Sequence, residues 1–208
     1  SATLFVLGDI GHSPRMCYHA KSLSALDYYV TICGYVESQP SDDILDDTNI
    51  QIQPIKVVRN TANLPFILFA AMKIGLQSLE LVKLMFQHGS VDFVIIQNPP
   101  LIPILFIAIL YRSWFARDTR IVIDWHNLNY SILNLKYNNV NHPAVRALKL
   151  YEKHIGKLAD IHITVTNQMK EFLVEKFEFR RKRIITLHDR PGENFMPLSQ
   201  LKSSKQEI

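Results

Sequence analysis

Short apolar runs of strand length alternate with helix-like segments along almost the whole chain of 208 residues. The strand-like runs cover residues 2–7, 29–35, 50–55, 93–96, 120–124, 161–165 and 184–187, and the longer helical segments cover residues 14–25, 64–88, 101–115, 143–158 and 168–177. Such alternation requires parallel strands that are joined by crossover helices. The sequence therefore predicts a doubly wound α/β sheet of Rossmann-like type, in which ligands bind at the carboxyl ends of the strands.

The composition is that of a globular chain, with 48% hydrophobic and 20% charged residues. The two cysteines, Cys17 and Cys33, have no paired spacing, which fits a reducing compartment. The net charge of +4 favours an anionic partner or surface but is too weak to indicate nucleic acid. The longest uncharged apolar run, residues 101–111, is too short to cross a bilayer and contains Pro103.

A chain of this length is expected to form one large domain, and we assign it to residues 1–191. The polar stretch 192–208 is predicted to be a linker. The chain starts directly on a strand, with no Met and no basic leader, so we expect that a segment upstream has been removed.

The loop of residues 8–15 joins the first strand to the first helix. Gly8 and Gly11 let the backbone turn tightly, Ser13 is a predicted N-cap, and the helix start offers free N–H groups to an anion. Dinucleotide-binding loops have another glycine where Ile10 stands, and the sequence of a nucleotide P-loop is absent. The loop is therefore either a phosphate site or a tight turn with a helix cap.

A second loop, Gln97-Asn98-Pro99-Pro100, follows a strand directly. The amides of Gln97 and Asn98 are suited to bind sugar hydroxyls, whereas the two prolines favour a stiff turn without a ligand. The stiff turn is the more expected of the two, and both stay open.

Residues 124–131 follow the fifth strand and combine acidic, basic, amide and aromatic side chains. His126 is suited to general base catalysis, because the reference pKa of histidine is about 6.5. Asp124 can orient it, since residues two apart on a strand share a side. An isolated histidine is usually structural, but Asp124 and Asn127 beside it favour a functional role. No second His or Cys lies at metal-ligand spacing, so no metal site is predicted.

Two segments have surfaces that could meet a membrane. The polar residues of segment 64–88 recur every three or four positions on one face, at Lys73, Gln77, Glu80, Lys83 (or Leu84) and Gln87. The first turns of this segment, residues 64–69, are apolar all round, so they either pack in the core or dock on a membrane. The basic residues 180–183 form either a solvated turn or a contact with anionic lipid.

Several sequence strings resemble one enzyme family over nearly the whole chain, in order. They are GDIGHSPRM at residues 8–16, YHA at 18–20, QNPP at 97–100, VIDWHN at 122–127, NHP at 141–143, YEK at 151–153, VTN at 165–167 and DRP at 189–191. These strings resemble the chitobiosyldiphosphodolichol β-mannosyltransferases of asparagine-linked glycosylation, in which the position of His12 is often Arg.

The resemblance implies an inverting GT-B glycosyltransferase, whose two Rossmann-like domains face each other across a cleft. Such an enzyme transfers mannose from GDP-mannose to dolichyl-diphosphate-chitobiose on the cytosolic face of the endoplasmic reticulum membrane. The chain matches the amino-terminal, acceptor-binding domain, so residues 192–208 would lead to an absent donor domain, and a membrane anchor would precede Ser1. We expect the fragment alone to be inactive and to have no tightly bound cofactor, and the need for a divalent metal is left open.

The family's chemistry also implies roles for the loop residues. His126 is the first candidate for the base that deprotonates the acceptor hydroxyl, with Asp9 and Asp124 as rivals. The other candidates bind the acceptor: its diphosphate would be met by Gly8, Gly11, Ser13 and Arg15, and its sugars by Asn98, Asn127, Trp125 and Tyr130.

Two other functions stay open at this point. The chain could be a non-catalytic acceptor-binding half that works with a separate donor chain, or a generic Rossmann-type nucleotide binder, although the missing glycine argues against the latter. For the enzyme, the expected partners are the lipid-linked oligosaccharide, the membrane surface and other glycosyltransferases of the same pathway. Nucleic acid is not expected.

Overall fold

A seven-stranded parallel sheet forms the centre of the molecule. A computed structural model describes residues 1–190, without the side chains at positions 66 and 67. The strands are β1 (Ala2–Asp9), β2 (Val30–Tyr35), β3 (Ile50–Pro54), β4 (Phe93–Asn98), β5 (Arg120–Trp125), β6 (Ile161–Thr164) and β7 (Ile184–Thr186). They lie in the order β3-β2-β1-β4-β5-β6-β7, and every neighbouring pair is parallel. The predicted doubly wound fold is confirmed, whereas the predicted linker 192–208 lies outside the described residues.

Helices cover both faces of the sheet. Within residues 1–190 they are α1 (Pro14–Ser24), α2 (Asp42–Leu45), α3 (Phe66–His88), α4 (Ile104–Trp114), α5 (Asn129–Tyr137), α6 (Pro143–Gly156) and α7 (Asn167–Glu175). In that part of the chain no helix combines the length and the apolar composition that a bilayer span requires.

The alternation of side chains along β1 divides the core into two layers. Leu4 and Val6 pack with α1 and α2 on one face of the sheet. Phe5 and Leu7 pack with α3, α4 and α7 on the other face. Both faces of β1 are therefore buried, which explains why the strand reads as a continuous apolar run.

Two helices lie in stretches to which the sequence assigned neither a strand nor a helix. The short helix α2 lies in the polar stretch 39–47, and α5 lies in the stretch 125–141. None of the residues of α5 is buried, and its N-cap residue, Leu128, has no side chain that can cap the helix. The local sequence therefore carries neither the apolar stripe nor the start signal on which a helix prediction depends.

Two predictions about helices are wrong in detail. Ser13 precedes α1, but its hydroxyl donates to the Asp9 carbonyl oxygen at 3.0 Å and does not cap the helix. In α3, the predicted polar residues do not all face solvent, since Lys83 and Gln87 are exposed but Lys73 and Glu80 are half-buried. Gln77 is buried and its side-chain amide donates to the hydroxyl of Tyr35, which lies at the end of β2.

We expect Gly34→Ala to lower the free energy of unfolding by about 1–3 kcal/mol. The added Cβ would lie 2.6 Å from the Val6 carbonyl oxygen and 2.8 Å from Cγ1 of Ile10. Gly75 is the matched control, because a Cβ there meets no atom within 4 Å, and Gly75→Ala should stabilise α3 by up to about 1 kcal/mol. Urea unfolding of the 208-residue chain measures both changes. A Gly34→Ala chain as stable as its parent would contradict the described packing of β1 on β2.

Candidate functional site

The predicted functional loops meet at one edge of the sheet. From the neighbouring strands β1 and β4, the chain proceeds to β2 and β3 on one side and to β5, β6 and β7 on the other. The carboxyl edge at such a switch point is where doubly wound folds bind ligands. Asp9 ends β1, and Gln97 and Asn98 at the end of β4 are in register with Asp124 and Trp125 of β5.

Asp124 is the centre of the candidate site. It is fully buried, and the Arg15 guanidinium donates to both of its oxygens, from Nε to Oδ2 at 2.8 Å and from Nη2 to Oδ1 at 3.1 Å. Nε2 of His19 and Nε2 of His126 lie 2.8 Å and 3.1 Å from Oδ2. Burial alone would raise the pKa of Asp124, but hydrogen bonds from His126, His19 and Arg15 outweigh it and hold that pKa well below its usual range. Asp124 is therefore a carboxylate anion at neutral pH.

This anion determines which ring nitrogen of each histidine carries the proton. A carboxylate only accepts hydrogen bonds, so Nε2 of His19 and of His126 must donate to it. Nδ1 of a neutral His126 is then left with a free lone pair. The His126 side chain is 23% exposed and that of His19 is 12% exposed, so His126 is the more accessible of the two. A base oriented by a buried carboxylate is the arrangement that activates hydroxyl nucleophiles.

Arg15 connects three elements through its guanidinium. Besides its two bonds to Asp124, Nη1 donates to Oδ1 of Asp189, which follows β7, at 2.8 Å. Arg15 is buried, and these two carboxylates neutralise the charge that the sequence assigned to an acceptor diphosphate. A cavity of about 920 Å³ opens beside this network and is lined by Arg15, His19 and residues 187–190.

Asp9 is an acceptor that holds the loop after β2. Its carboxylate accepts from the Ser38 hydroxyl and from the backbone N–H groups of Glu37 and Ser38, the latter two at 3.0 Å and 3.2 Å. His12 Nδ1 lies 2.6 Å from Oδ2. These bonds, that of the Ser38 hydroxyl above all, hold the pKa of Asp9 well below its usual range. Asp9 is consequently a weak base.

Gly8 and Gly11 differ in their surroundings. A Cβ at Gly11 would overlap the Ser38 hydroxyl and come within 3.1 Å of the carbonyl oxygens of Ser38 and Gln39, whereas a Cβ at Gly8 would meet no atom within 4 Å. Glycine at position 11 therefore allows a close approach of the chain to itself. Contact of either glycine with a diphosphate stays a prediction.

Asn98 does not face a ligand, contrary to the sequence prediction. It is fully buried, and its Nδ2 donates to the Asn127 carbonyl oxygen at 2.9 Å and to Oε1 of Glu152 at 3.1 Å. Its Oδ1 accepts from Nδ2 of Asn129 at 2.9 Å. The amide is thus occupied by the protein on both its donor and acceptor sides, and its role is to hold the loop after β5.

The sequence prediction that Trp125 contacts a sugar of the acceptor is also wrong. Residues adjacent on a strand point to opposite sides, so Trp125 faces away from Asp124 and into the core. It is fully buried, and its Nε1 donates to Nδ1 of His162 at 3.2 Å. Of the other two residues that were predicted to meet sugar, Asn127 is exposed, and Tyr130 is half-buried with its ring 6.2 Å from that of Phe177.

Glu152 of α6 is a second buried carboxylate, to which the sequence analysis assigned no role. Its Oε1 accepts from the Asn129 backbone N–H at 2.8 Å, and its Oε2 accepts from the Tyr130 N–H at 3.1 Å. Burial raises the pKa of Glu152, and these bonds oppose the rise. The carboxylate thus caps α5, which Leu128 cannot do. The sequence signal that could have identified Glu152 as buried is its position two turns after Val145, on the same face of α6.

The loop that carries His126 is therefore fixed at both ends. The His126 backbone N–H donates to the Asn98 carbonyl oxygen at 3.0 Å, and Glu152 holds the start of α5.

The sequence prediction also missed His19 as a residue of the site, although it lies one turn after Arg15 on the same face of α1. Across residues 1–190, no group of three or more His, Cys, Asp or Glu residues is arranged to hold a metal ion.

Relatives of known name support the predicted resemblance. Residues 11–189 match the family model Glycosyltransferase Family 4. The chain is 61% identical to the chitobiosyldiphosphodolichol beta-mannosyltransferase of Debaryomyces hansenii, 54% to that of Candida albicans and 37% to that of Homo sapiens. These alignments cover 100%, 99% and 91% of this chain but 44%, 45% and 40% of the relatives. The chain therefore spans less than half the length of the curated relatives it matches.

Solved structures share the fold at low sequence identity. A glycosyltransferase from Rickettsia africae superposes with a TM-score of 0.57 at 16% identity, covering 99% of this chain and 48% of that one. UGT2 of Phytolacca americana, solved with UDP-2fluoro-glucose and pterostilbene, gives 0.52 at 14% identity, covering 100% of this chain and 57% of that one. At these identities the similarity concerns the fold alone.

We expect Glu152→Ala to loosen the start of α5. The amide hydrogens of Asn129 and Tyr130 should exchange with solvent at least about tenfold faster, because a hydrogen bond to a charged group contributes about 1.5–3 kcal/mol. Hydrogen exchange followed by NMR measures this rate. Glu171→Ala is the control, since Glu171 forms an exposed ion pair with Arg181, and it should leave both rates unchanged. If Glu152→Ala is folded and both amides remain as protected as in the parent, Glu152 does not cap α5.

Proposed function

Since this chain belongs to Glycosyltransferase Family 4, we propose that it is the acceptor-binding half of an inverting β-mannosyltransferase. The enzyme transfers mannose from GDP-mannose to dolichyl-diphosphate-chitobiose during assembly of the N-glycan precursor. The names of the relatives support the acceptor and the sugar. The observation that carries the proposal is the buried Asp124 carboxylate, which orients His126 at the carboxyl edge of the sheet.

Transfer with inversion is a single displacement, and His126 supplies its base. Nδ1 of His126 takes the proton from the acceptor hydroxyl as that oxygen attacks the anomeric carbon of mannose. The bond from this carbon to the phosphate oxygen of GDP breaks, and GDP leaves with the electron pair. The imidazolium formed on His126 is stabilised by the Asp124 carboxylate, whose Oδ2 lies 3.1 Å from Nε2.

The two carboxylates, Asp9 and Asp124, are poor bases. The pKa values of Asp9 and Asp124 are both held well below the usual range by hydrogen bonds that they accept. A base of low pKa takes little of the proton of an attacking hydroxyl, so its driving force is small. Asp124 is moreover fully buried, which keeps the acceptor hydroxyl away from it.

The remaining partners follow from the same proposal. GDP-mannose is a substrate held mainly by the part of the enzyme that this chain does not cover, and Gly8 and Gly11 offer their backbone N–H groups to the acceptor diphosphate. The backbone N–H of Ser13, which the sequence also assigned to the diphosphate, instead donates to the Ile10 carbonyl oxygen at 2.9 Å. The enzyme acts on the cytosolic face of the endoplasmic reticulum membrane, where the lipid-linked acceptor and other glycosyltransferases of the pathway lie.

In the complete enzyme, His126→Ala should lower kcat for mannosyl transfer by at least about 100-fold, because general base catalysis contributes about 10²–10⁴-fold. The release of GDP in the presence of the lipid-linked acceptor measures turnover, and circular dichroism checks folding. His154→Ala is the control, since His154 is exposed on α6, and it should leave kcat unchanged. Near-normal turnover of His126→Ala would contradict the base assignment.

A further inference from the structure

Helix α3 presents a stripe of large apolar side chains to solvent. The stripe recurs every three or four residues, which is the period of one helix face. Its members are Leu68, Met72, Leu76, Leu79, Val82 and Phe86. From Leu68 to Phe86 the stripe is about 27 Å long at 1.5 Å per residue. Leu79 in its middle is 72% exposed.

The stripe is not needed for the core, because the opposite side of α3 already packs on the sheet. Leu81, Leu84 and Met85 are buried in the cluster that covers this face of the sheet. Gln77 is buried beside them and is bonded to Tyr35. The helix therefore buries a polar side chain and turns a continuous apolar stripe outward, whereas an ordinary surface helix turns its apolar stripe to the core.

The end of α4 extends this surface with aromatic side chains. The Phe86 ring lies 4.9 Å from that of Phe115, and the Phe115 ring lies 6.5 Å from that of Trp114. Trp114 is 70% exposed. We define the α3–α4 face as the six residues of the stripe together with Trp114 and Phe115.

The charges around the α3–α4 face are mainly positive. Lys83 is exposed on α3, and the single acidic residue of that helix, Glu80, is half-buried and accepts from the Lys56 backbone N–H. Beyond Phe115, three arginines, Arg112, Arg117 and Arg120, lie together with two carboxylates, Asp118 and Asp160, so positive charge is in excess there as well. Anionic lipid headgroups attract such a cationic rim.

We infer that the α3–α4 face is the surface on which this protein rests on a lipid bilayer. Leucine and phenylalanine on one side of a helix, with tryptophan and basic residues at its margin, are typical of helices that lie in the membrane interface. The inference rests on the proposed function, because an acceptor attached to a lipid has to be met at the membrane. It names the surface that does so.

The orientation of α3 gives this docking a geometric consequence. A crossover helix runs back from the carboxyl edge of a parallel sheet to its amino edge. The Leu68 end of α3 therefore lies toward the edge that carries Asp124, and the Phe86 end lies away from it. A bilayer along the α3–α4 face reaches the edge of the sheet where the acceptor diphosphate would enter.

Flotation with lipid vesicles tests this surface on the 208-residue chain itself. The parent chain should float with phosphatidylcholine vesicles that contain phosphatidylserine. The double variant Leu79→Glu/Trp114→Glu should bind them at least about tenfold more weakly, because two charges would enter the interface. Leu26→Glu is the matched control, since Leu26 is 68% exposed on the other side of the sheet, after α1, and it should float like the parent. Circular dichroism checks that all three chains are folded.

Two results would overturn the inference: a parent chain that stays off the vesicles, and a double variant that floats as well as the control. If the parent stays off the vesicles and forms dimers that Leu79→Glu/Trp114→Glu dissociates, the α3–α4 face binds a second copy instead. Sedimentation velocity at several concentrations reports the dimer.

A transfer assay separates this inference from the proposed function. With a short-chain acceptor dissolved in detergent, the complete enzyme carrying Leu79→Glu/Trp114→Glu should keep the parent's kcat, whereas transfer to the acceptor embedded in vesicles should fall. If the parent enzyme transfers no mannose to either acceptor, the proposed function fails, while vesicle flotation still decides the docking surface.

Discussion

The buried carboxylate of Asp124 is the interaction on which the candidate site depends. A charge taken out of water is costly unless it is paired and hydrogen-bonded, and here a two-pronged Arg15 contact and two histidines compensate for that cost. The same contacts tie β5 to α1, and Arg15 extends them to the segment after β7. The charge therefore fixes the positions of elements that lie far apart in the sequence.

Two buried carboxylates have separate roles at this edge of the sheet. Asp124 orients the ring of His126, while Glu152 holds the backbone that follows it by capping α5. Asn98 joins the two, since its carbonyl oxygen accepts from the His126 N–H and its side chain bonds to Glu152. A rigid backbone with an oriented ring is what a base needs to meet a hydroxyl at a defined distance.

Much of the fold could be predicted, because buried parallel strands are apolar runs and β1 is apolar on both faces. The alternation along β5 also predicted that Asp124 and His126 share a side, which their 3.1 Å contact confirms. The same rule places Trp125 on the opposite side from Asp124, in the core. It therefore contradicts the sugar contact that was predicted for Trp125. Helix α5 could not be predicted, because its cap comes from Glu152, more than twenty residues away.

The exposure of the apolar stripe of α3 could not be predicted for a similar reason. Gln77 is buried only because the hydroxyl of Tyr35, 42 residues earlier, is there to accept its hydrogen bond. The spacing of polar residues in α3 predicts that the side carrying Gln77 faces solvent. The same spacing then predicts that the apolar stripe packs in the core. Hydrogen bonds between residues far apart in the sequence thus determine two features that the local sequence does not show. The bonds of Glu152 fix the start of α5, and the bond of Gln77 to Tyr35 accompanies the exposure of the apolar stripe of α3.

The most direct test of the Asp124–His126 pairing is the tautomer of His126 in alkaline solution, where the imidazole is neutral. Two-bond proton–nitrogen NMR correlations in the 208-residue chain distinguish a ring protonated on Nε2 from one protonated on Nδ1. We predict protonation on Nε2, with a change in the balance of tautomers in Asp124→Asn. A neutral His126 protonated on Nδ1 in the parent chain would contradict the pairing and, with it, the role of Nδ1 as the base.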